Sequence, residues 1–144
     1  HGNNVLLAQA IGLRDISPIL EKDGWPMGVA GFWGKSREDL VSATAAAVGR
    51  RVTLCPGGPE LIGKAAVITG GAGSEVRRIA GLGLDAFVTG EGAHWGFIEA
   101  EETGLNVIYA GHYATETFGV RSLASRIAET FKVESRFLRR DGGL

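Results

Sequence analysis

Hydrophobic and polar positions along the chain follow two different periods. Apolar residues at helical spacing, bounded by capping residues and glycines, predict helices at residues 5–11, 37–48, 74–82, 93–102 and about 115–131. Short apolar runs between turn residues predict strands at residues 27–33, 51–55, 65–69, 85–89, 106–110 and 132–138. Side-chain oxygens that can accept from the free N–H groups of a helix start make Asn4, Ser36 and Ser74 the predicted N-caps, and either Thr115 or Thr117 opens the last helix.

The second half of the chain has the more regular order. From Lys64 onward, strands alternate with single helices of about ten residues, which predicts βαβ units and a largely parallel sheet. The continuous apolar run at residues 65–68 is typical of a strand that is covered on both faces. We therefore predict an α/β fold, a layered sheet with helices on both faces. The Pro-Gly-Gly-Pro turn at residues 56–59 is the predicted internal boundary.

Composition then restricts the class of protein. Of 144 residues, 44% are hydrophobic and 22% are charged, and the formal net charge is −1, as in an ordinary globular domain. Without a basic excess, we do not expect nucleic acid as a partner. No apolar run approaches the ~20 residues of a membrane-spanning helix, so we expect no membrane partner. The one cysteine, Cys55, excludes a disulfide framework and predicts a reducing, cytoplasmic location.

Candidate chemistry lies where the predicted parallel strands end, because ligands of open α/β sheets gather at those ends. Turns follow the strands at residues 69–74, 89–91 and 111–116, and we expect them to meet at one edge of the sheet. In the last turn, His112 and Glu116 are four residues apart. On a helix this spacing places them ~40° apart and ~6 Å along the axis, so both can reach one divalent cation. The spacing equally fits a helix start that carries an acid in its first turn.

The other two turns also offer candidate groups. Glu91 could act as a base or as a carboxylate that supports a metal ligand, and His94 as a ligand or proton shuttle. The alternative for His94 is an ordinary surface histidine. The glycine-rich turn at residues 70–73 could present N–H groups to a phosphate, although turn geometry alone also explains it.

Two segments together resemble a known family. Residues 85–91 (DAFVTGE), followed about twenty residues later by residues 110–116 (AGHYATE), are similar to the dinuclear-metal-centre hexamer family. These are the NGG-interacting-factor-three-like proteins, also called GTP cyclohydrolase 1 type 2 homologues. The Gly-Asn-Asn at residues 2–4 resembles the start of the family's helix after its second metal-binding loop, and residues 70–74 resemble its glycine-rich turn.

The resemblance implies a site for two divalent metal ions, which could be zinc, iron, manganese or nickel. The family builds that site from a paired-histidine motif, an aspartate, and a C-terminal histidine and glutamate. His112 and Glu116 match the last two, whereas the paired histidines and the aspartate have no match. His1 falls near a histidine that is often found in the family's loop. The chain begins without methionine, so either upstream residues exist in the native protein or His1 is left from a purification tag.

Three hypotheses follow. In the first, residues 1–58 are the partial middle region of the family fold, and residues 59–144 are the metal-site half of a hydrolase-like protein for a nucleotide-like substrate. His112 and Glu116 are then metal ligands, and Glu91 and His94 are catalytic residues that line the cleft. In the second, the protein is a non-catalytic metal-binding scaffold in a hexameric ring, the assembly that the resemblance implies. In the third, an α/β domain holds a phosphate near Ser74.

Overall fold

The computed structural model describes residues 2–140, so His1 lies outside the described residues. These residues form one six-stranded sheet with helices packed on both of its faces. The helices are α1 (Asn3–Ile11), α2 (Arg37–Val48), α3 (Val76–Ala80), α4 (Gly96–Thr103) and α5 (His112–Phe131). The strands are β1 (Arg14–Lys22), β2 (Trp25–Ser36), β3 (Thr53–Pro56), β4 (Leu61–Ile68), β5 (Ala86–Thr89) and β6 (Asn106–Tyr109).

The strand order in the sheet is β1-β2-β4-β5-β6-β3. The neighbours β4, β5 and β6 are parallel, and α3 and α4 connect them in two βαβ units. The β1–β2 hairpin extends the sheet antiparallel on one side, and β3 pairs antiparallel with β6 on the other. The prediction of an α/β fold with parallel units in the second half of the chain is confirmed. Parallel pairing places the C-terminal ends of β4, β5 and β6 at one edge.

Two apolar layers explain why the central strands read as unbroken hydrophobic runs. On one face, Leu7 of α1 and Leu40 of α2 pack with Val67 and Val88 of the sheet. On the other face, α3 and α4 pack over Phe87, which is fully buried. A strand that is covered on both faces has no solvent-facing side on which polar residues would be favoured. This accounts for the unbroken hydrophobic runs of the central strands.

The predicted N-caps have different outcomes. Ser36 caps α2 as predicted, because its hydroxyl oxygen accepts from the N–H of Asp39 at 3.0 Å. Asn4 is not a cap. Gly2 precedes α1, and the Asn4 amide instead donates to the carbonyl of Met27 and accepts from Thr69.

Ser74 is not a helix cap either. It lies in a short 3₁₀ turn, Gly73–Glu75, and α3 begins only at Val76. The reason is a tertiary contact, since the N–H of Gly73 donates to the carbonyl of Glu91 at 3.0 Å. A side chain at Gly73 would stand 2.3 Å from the Cα atom of Gly92. This close approach fixes the position of the chain at the point where the first turn of the predicted helix would have started.

The last helix begins earlier than either predicted start, Thr115 or Thr117. It starts at His112, directly after Gly111, whose φ of 92° turns the chain sharply out of β6. That backbone conformation carries little steric cost for glycine. None of the helices within residues 2–140, α5 included, combines the length and apolar character that crossing a lipid bilayer requires.

The predicted strand at residues 132–138 is wrong. After α5, Lys132 adopts a left-handed conformation and the chain runs back along the helix without strand pairing. The Arg121 guanidinium stacks on the Phe137 ring, and the N–H of Arg140 donates to the Tyr113 hydroxyl at 2.8 Å. The segment therefore packs along α5 and adds no strand to the sheet.

Asn106, at the start of β6, ties the turn at residues 56–59 to the sheet. Its amide nitrogen donates to the carbonyls of Pro59 at 2.8 Å and Asp85 at 3.1 Å. Its amide oxygen accepts from the N–H of Gly58 at 3.2 Å. The side chain is fully buried, so these bonds satisfy polar groups that water cannot reach. The division of the chain at residue 58 stays a prediction.

Replacing Asn106 with leucine tests this link. Asn106→Leu keeps a similar volume but leaves the Gly58 N–H and the Pro59 carbonyl without these partners. We expect the free energy of unfolding to fall by about 2–4 kcal/mol, measured by urea denaturation. The control is Gln9→Leu, which changes an exposed amide on α1 and should alter stability by about 0.5 kcal/mol or less. Equal effects of the two variants would contradict the prediction.

Candidate metal centre

The turns after β4, β5 and β6 meet at one edge of the sheet, as the sequence predicts. The carbonyl of Gly70 accepts from the N–H groups of Gly90 at 2.9 Å and Glu91 at 3.0 Å. The carbonyl of Gly90 in turn accepts from the N–H of Gly111 at 2.8 Å. These bonds continue the order of the parallel strands into the turns and hold three chain segments side by side.

Glycine is required where these turns cross. A Cβ atom at Gly90 would stand 2.5 Å from the Gly70 carbonyl oxygen and 2.7 Å from the Cα atom of His112. Both are backbone atoms, which cannot swing aside as a side chain can. The absence of a side chain at Gly90 therefore lets the start of α5 approach the turn after β4.

The approach gathers one imidazole and two carboxylates. The Nδ1 atom of His112 lies 2.8 Å from Oε1 of Glu91, and its Nε2 atom lies 3.4 Å from Oε2 of Glu116. His112 and Glu116 lie one turn apart at the start of α5, whereas Glu91 comes from the turn after β5. The structure thus brings together the pair predicted from spacing and a third residue from another segment.

The His112 ring has a closer carboxylate at Nδ1, at 2.8 Å, than at Nε2, at 3.4 Å, which favours the neutral tautomer with its proton on Nδ1. An ionised Glu91 can only accept a hydrogen bond, so Nδ1 carries the proton and donates to it. The lone pair of Nε2 then points to the side where Glu116 lies. A carboxylate that orients a histidine through one nitrogen while the other nitrogen faces a metal position is a common arrangement in metalloproteins.

The same carboxylates affect the protonation of His112. The hydrogen bond to Glu91, followed by the charge of Glu116, raises the pKa of His112 above its usual value, and desolvation opposes the change. The side chains of His112, Glu91 and Glu116 are 40%, 47% and 48% exposed, so solvent screens these charges. The raised pKa means that the two carboxylates favour the protonated form of the ring.

Thr115 is the site residue that sequence reasoning misplaced. It is fully buried, and its hydroxyl accepts from the N–H of Gly70 at 3.0 Å while it donates to the carbonyl of His112 at 2.9 Å. Its position between His112 and Glu116 is the feature of the sequence that could have indicated this role. In the structure, that position lies on the side of α5 that faces the sheet. The local sequence instead favours a capping role for Thr115. Its role as a link between α5 and the turn after β4 appears only in the tertiary contact with Gly70.

His94 is not brought into this cluster. It is exposed in the turn before α4, and within residues 2–140 its side chain makes no hydrogen bond or ion pair with Glu91, His112 or Glu116. A small cavity of about 240 Å³ is lined in part by Glu91. Its lining residues come from the two glycine-containing turns and the start of α4: Gly71, Gly73, Ser74, Glu91, Gly92, Ala93 and Trp95.

The residues present fit part of a metal site. One imidazole nitrogen and one carboxylate converge, a donor set that suits zinc, iron, manganese or nickel. Gly70 leaves room in front of them, because a Cβ atom there would stand 2.7 Å from Oε1 of Glu116 and 3.3 Å from Nε2 of His112. Within residues 2–140, however, no group of three or more histidine, cysteine, aspartate or glutamate side chains is arranged to hold a metal ion.

Comparison with known proteins matches the chain to one family over nearly its whole length. The family model for Duf34/NIF3 (NGG1p interacting factor 3) matches residues 1–141. The protein named GTP cyclohydrolase 1 type 2 homolog in Deinococcus radiodurans is 37% identical over 145 residues, which cover 99% of this chain and 55% of that protein. Its namesake in Escherichia coli is 34% identical over 141 residues, which cover 95% and 55%. The chain therefore spans about half the length of these relatives.

Solved structures agree with this match. A protein described as ybgI, of unknown function, aligns with a TM-score of 0.89 at 32% identity, covering 99% of this chain and 57% of that one. A Thermus thermophilus protein aligns with a TM-score of 0.78 at 33% identity, covering 99% and 56%. Reduced HcgD from Methanocaldococcus jannaschii aligns with a TM-score of 0.79 at 26% identity, covering 92% and 53%.

The protonation of His112 provides a test of the geometry in the metal-free protein. Glu91→Gln removes the acceptor charge at Nδ1, so we expect the pKa of His112 to fall, as followed by NMR titration of its ring protons. Glu116→Gln should lower this pKa less, because the hydrogen bond that His112 donates to Glu91 is the larger cause. An unchanged pKa in Glu91→Gln would contradict the contact.

The sign of the pH effect on stability follows from the same contact. Because the folded state raises the pKa of His112, the paired carboxylates stabilise the fold fully below the unfolded value, about 6.5. This contribution is lost as the pH rises through the folded-state pKa, and Glu91→Gln should reduce that part of the pH dependence.

Proposed function

The chain belongs to the Duf34/NIF3 family, and on that premise we propose that it contributes His112 and Glu116 as ligands to a divalent-metal site in a hydrolase-like protein. The observation that carries the proposal is the pairing of the His112 ring. Glu91 binds Nδ1 at 2.8 Å, which leaves Nε2 on the side of Glu116 for a metal ion.

The electrostatics of the site support a cation there. Two carboxylates flank one imidazole, and the raised pKa of His112 reflects their combined attraction for positive charge. A divalent ion would balance these charges more fully than a single proton. Because protonated histidine cannot ligate a metal, binding must release the proton from Nε2 whenever the ring is charged.

The intact site in this proposal holds two metal ions. His112 and Glu116 supply two ligands, and the remaining ligands come from outside the described residues, either from another part of a longer chain or from another chain. When bound, two such ions activate a water molecule and stabilise charge that develops during hydrolysis. The relatives' name, GTP cyclohydrolase 1 type 2 homolog, is the basis for proposing a nucleotide-like substrate.

The chain's own residues take separate roles in this proposal. Glu91 holds the His112 ring in its binding orientation and borders the cavity beside the site, where it can also accept a proton from a bound water. His94 lies three residues further along the chain and is exposed, so we propose it as a proton carrier and not as a ligand. The compartment we propose is the cytoplasm. There the thiol of Cys55, whose pKa burial raises to about 11, stays reduced and protonated.

Metal titration tests the ligand assignment. We expect zinc or manganese to bind with an affinity that His112→Ala abolishes and Glu116→Gln weakens, measured by isothermal titration calorimetry. His94→Ala is the matched control, because it removes an exposed histidine that, within residues 2–140, makes no hydrogen bond or ion pair with the three site residues, and it should leave the affinity unchanged.

The titration should be made on this chain and on a longer version that includes the additional length of its relatives. Two ligands alone bind a metal ion weakly, so the longer protein should bind more tightly. Metal binding that does not depend on His112 in either protein would rule out the ligand assignment.

Self-association into a closed, hexameric ring is the second part of the proposal. Three exposed apolar side chains of α5 support an interface: Val120, Leu123 and Ile127 are 55%, 60% and 42% exposed and share one side of the helix. If the ring forms and binds metal but hydrolyses no nucleotide, the function is that of a non-catalytic scaffold.

A charge on this surface should dissociate the ring. We expect Leu123→Glu to reduce the assembly to smaller species in sedimentation velocity, because it places a charge in an apolar contact. Ser125→Glu is the control, since it adds the same charge at an exposed position about 200° around the helix. A protein that is monomeric throughout, or a ring that both variants leave intact, would contradict this prediction.

A further inference from the structure

The start of α5 carries both proposed ligands, one turn apart, and one buried hydroxyl connects it to the rest of the site. The Oγ1 atom of Thr115 accepts from the N–H of Gly70 at 3.0 Å and donates to the carbonyl of His112 at 2.9 Å. The side chain is fully buried, so water cannot replace either bond. Through it, the turn after β4 is attached to the backbone of His112.

This connection lies behind the ligands and not in front of them. Thr115 falls between His112 and Glu116 in the sequence, and it faces the sheet while they face outward. Its partner Gly70 is the residue whose missing side chain leaves room beside Glu116 and Nε2 of His112. One hydroxyl therefore joins the two segments that border the proposed metal position.

The surroundings hold the hydroxyl in place. A Cβ atom at Gly90 would stand 2.8 Å from Oγ1 of Thr115, so the turn after β5 packs directly against it. The carbonyl of Gly70 accepts from the hydroxyl of Thr89 at 3.3 Å, and Thr89 is also fully buried. Side chains packed and bonded in this way fix positions more closely than exposed ones can.

We propose that Thr115 is a positioning residue for metal binding: its hydroxyl aligns His112 and Glu116 with the Gly70 turn and touches no metal itself. The proposal rests on the proposed function, since it assumes that His112 and Glu116 are ligands. It predicts that loss of the hydroxyl weakens metal binding even where the protein stays folded.

Variants at position 115 separate the hydroxyl from the methyl group. Thr115→Ser keeps the hydroxyl and should bind Zn²⁺ with the affinity of the wild type. Thr115→Ala removes it and should weaken Zn²⁺ binding about tenfold, the lower end of the loss seen when groups that orient metal ligands are removed. Thr115→Val also lacks the hydroxyl but keeps the volume, so it gives the same test if the alanine variant does not fold.

Thr44 provides the matched control. It is fully buried as well, and its hydroxyl donates to the carbonyl of Leu40 at 2.7 Å within α2. Thr44→Ala should lower stability in the same way as Thr115→Ala, yet leave the Zn²⁺ affinity unchanged. Equal Zn²⁺ affinities for Thr115→Ala and the wild type, or equal losses at positions 44 and 115, would overturn the proposal.

A measurement without metal separates this proposal from the metal-site assignment. The ring ¹⁵N chemical shifts of His112 report the hydrogen bond between Nδ1 and Glu91, and we expect Thr115→Ala to move them while Thr115→Ser and Thr44→Ala do not. Unchanged shifts in Thr115→Ala would refute positioning by the hydroxyl. If the shifts move but the wild type binds no Zn²⁺ through His112, the proposed function fails while positioning of the ring stands.

Discussion

The site depends on how closely the turns after β4, β5 and β6 approach one another, and the carbonyl of Gly70 controls that distance. It accepts from two successive N–H groups of the next turn, at Gly90 and Glu91, and the Gly90 carbonyl repeats the contact with Gly111. At Gly90 this approach requires glycine, because a Cβ atom there would stand 2.5 Å from the Gly70 carbonyl oxygen. The three turns therefore form a continuation of the parallel sheet, from which the side chains of Glu91, His112 and Glu116 project.

This arrangement converts a weak sequence signal into a defined electrostatic site. By spacing alone, His112 and Glu116 are only an imidazole and a carboxylate one turn apart near the start of α5. The contribution of Glu91, from a different strand end, gives the imidazole a partner at Nδ1 and raises its pKa. A cation between Nε2 of His112 and Glu116 is then the natural complement to the two carboxylates, and this physical reason makes metal binding the preferred proposal.

The pattern of residues along the chain was enough to predict the fold class and the edge of the sheet at which the candidate site lies. Unbroken apolar runs separated by single helices require a sheet covered on both faces, and parallel strands must end at the same edge. It also identified Ser36 as a cap, because a capping bond is local. The spacing of His112 and Glu116 on one helical face is likewise a local property, which the pattern of residues could reveal without knowledge of the fold.

The folded structure was needed for every feature that depends on contacts between distant segments. It moved the start of α5 from Thr115 or Thr117 to His112, and it placed residues 132–138 along α5, where the Arg121 guanidinium stacks on the Phe137 ring. It also separated Glu91, which meets His112, from His94, which remains exposed. Thr115 shows the reason most clearly. Its hydroxyl is evident in the sequence, but its partner Gly70 lies 45 residues away and contacts it only in the folded chain.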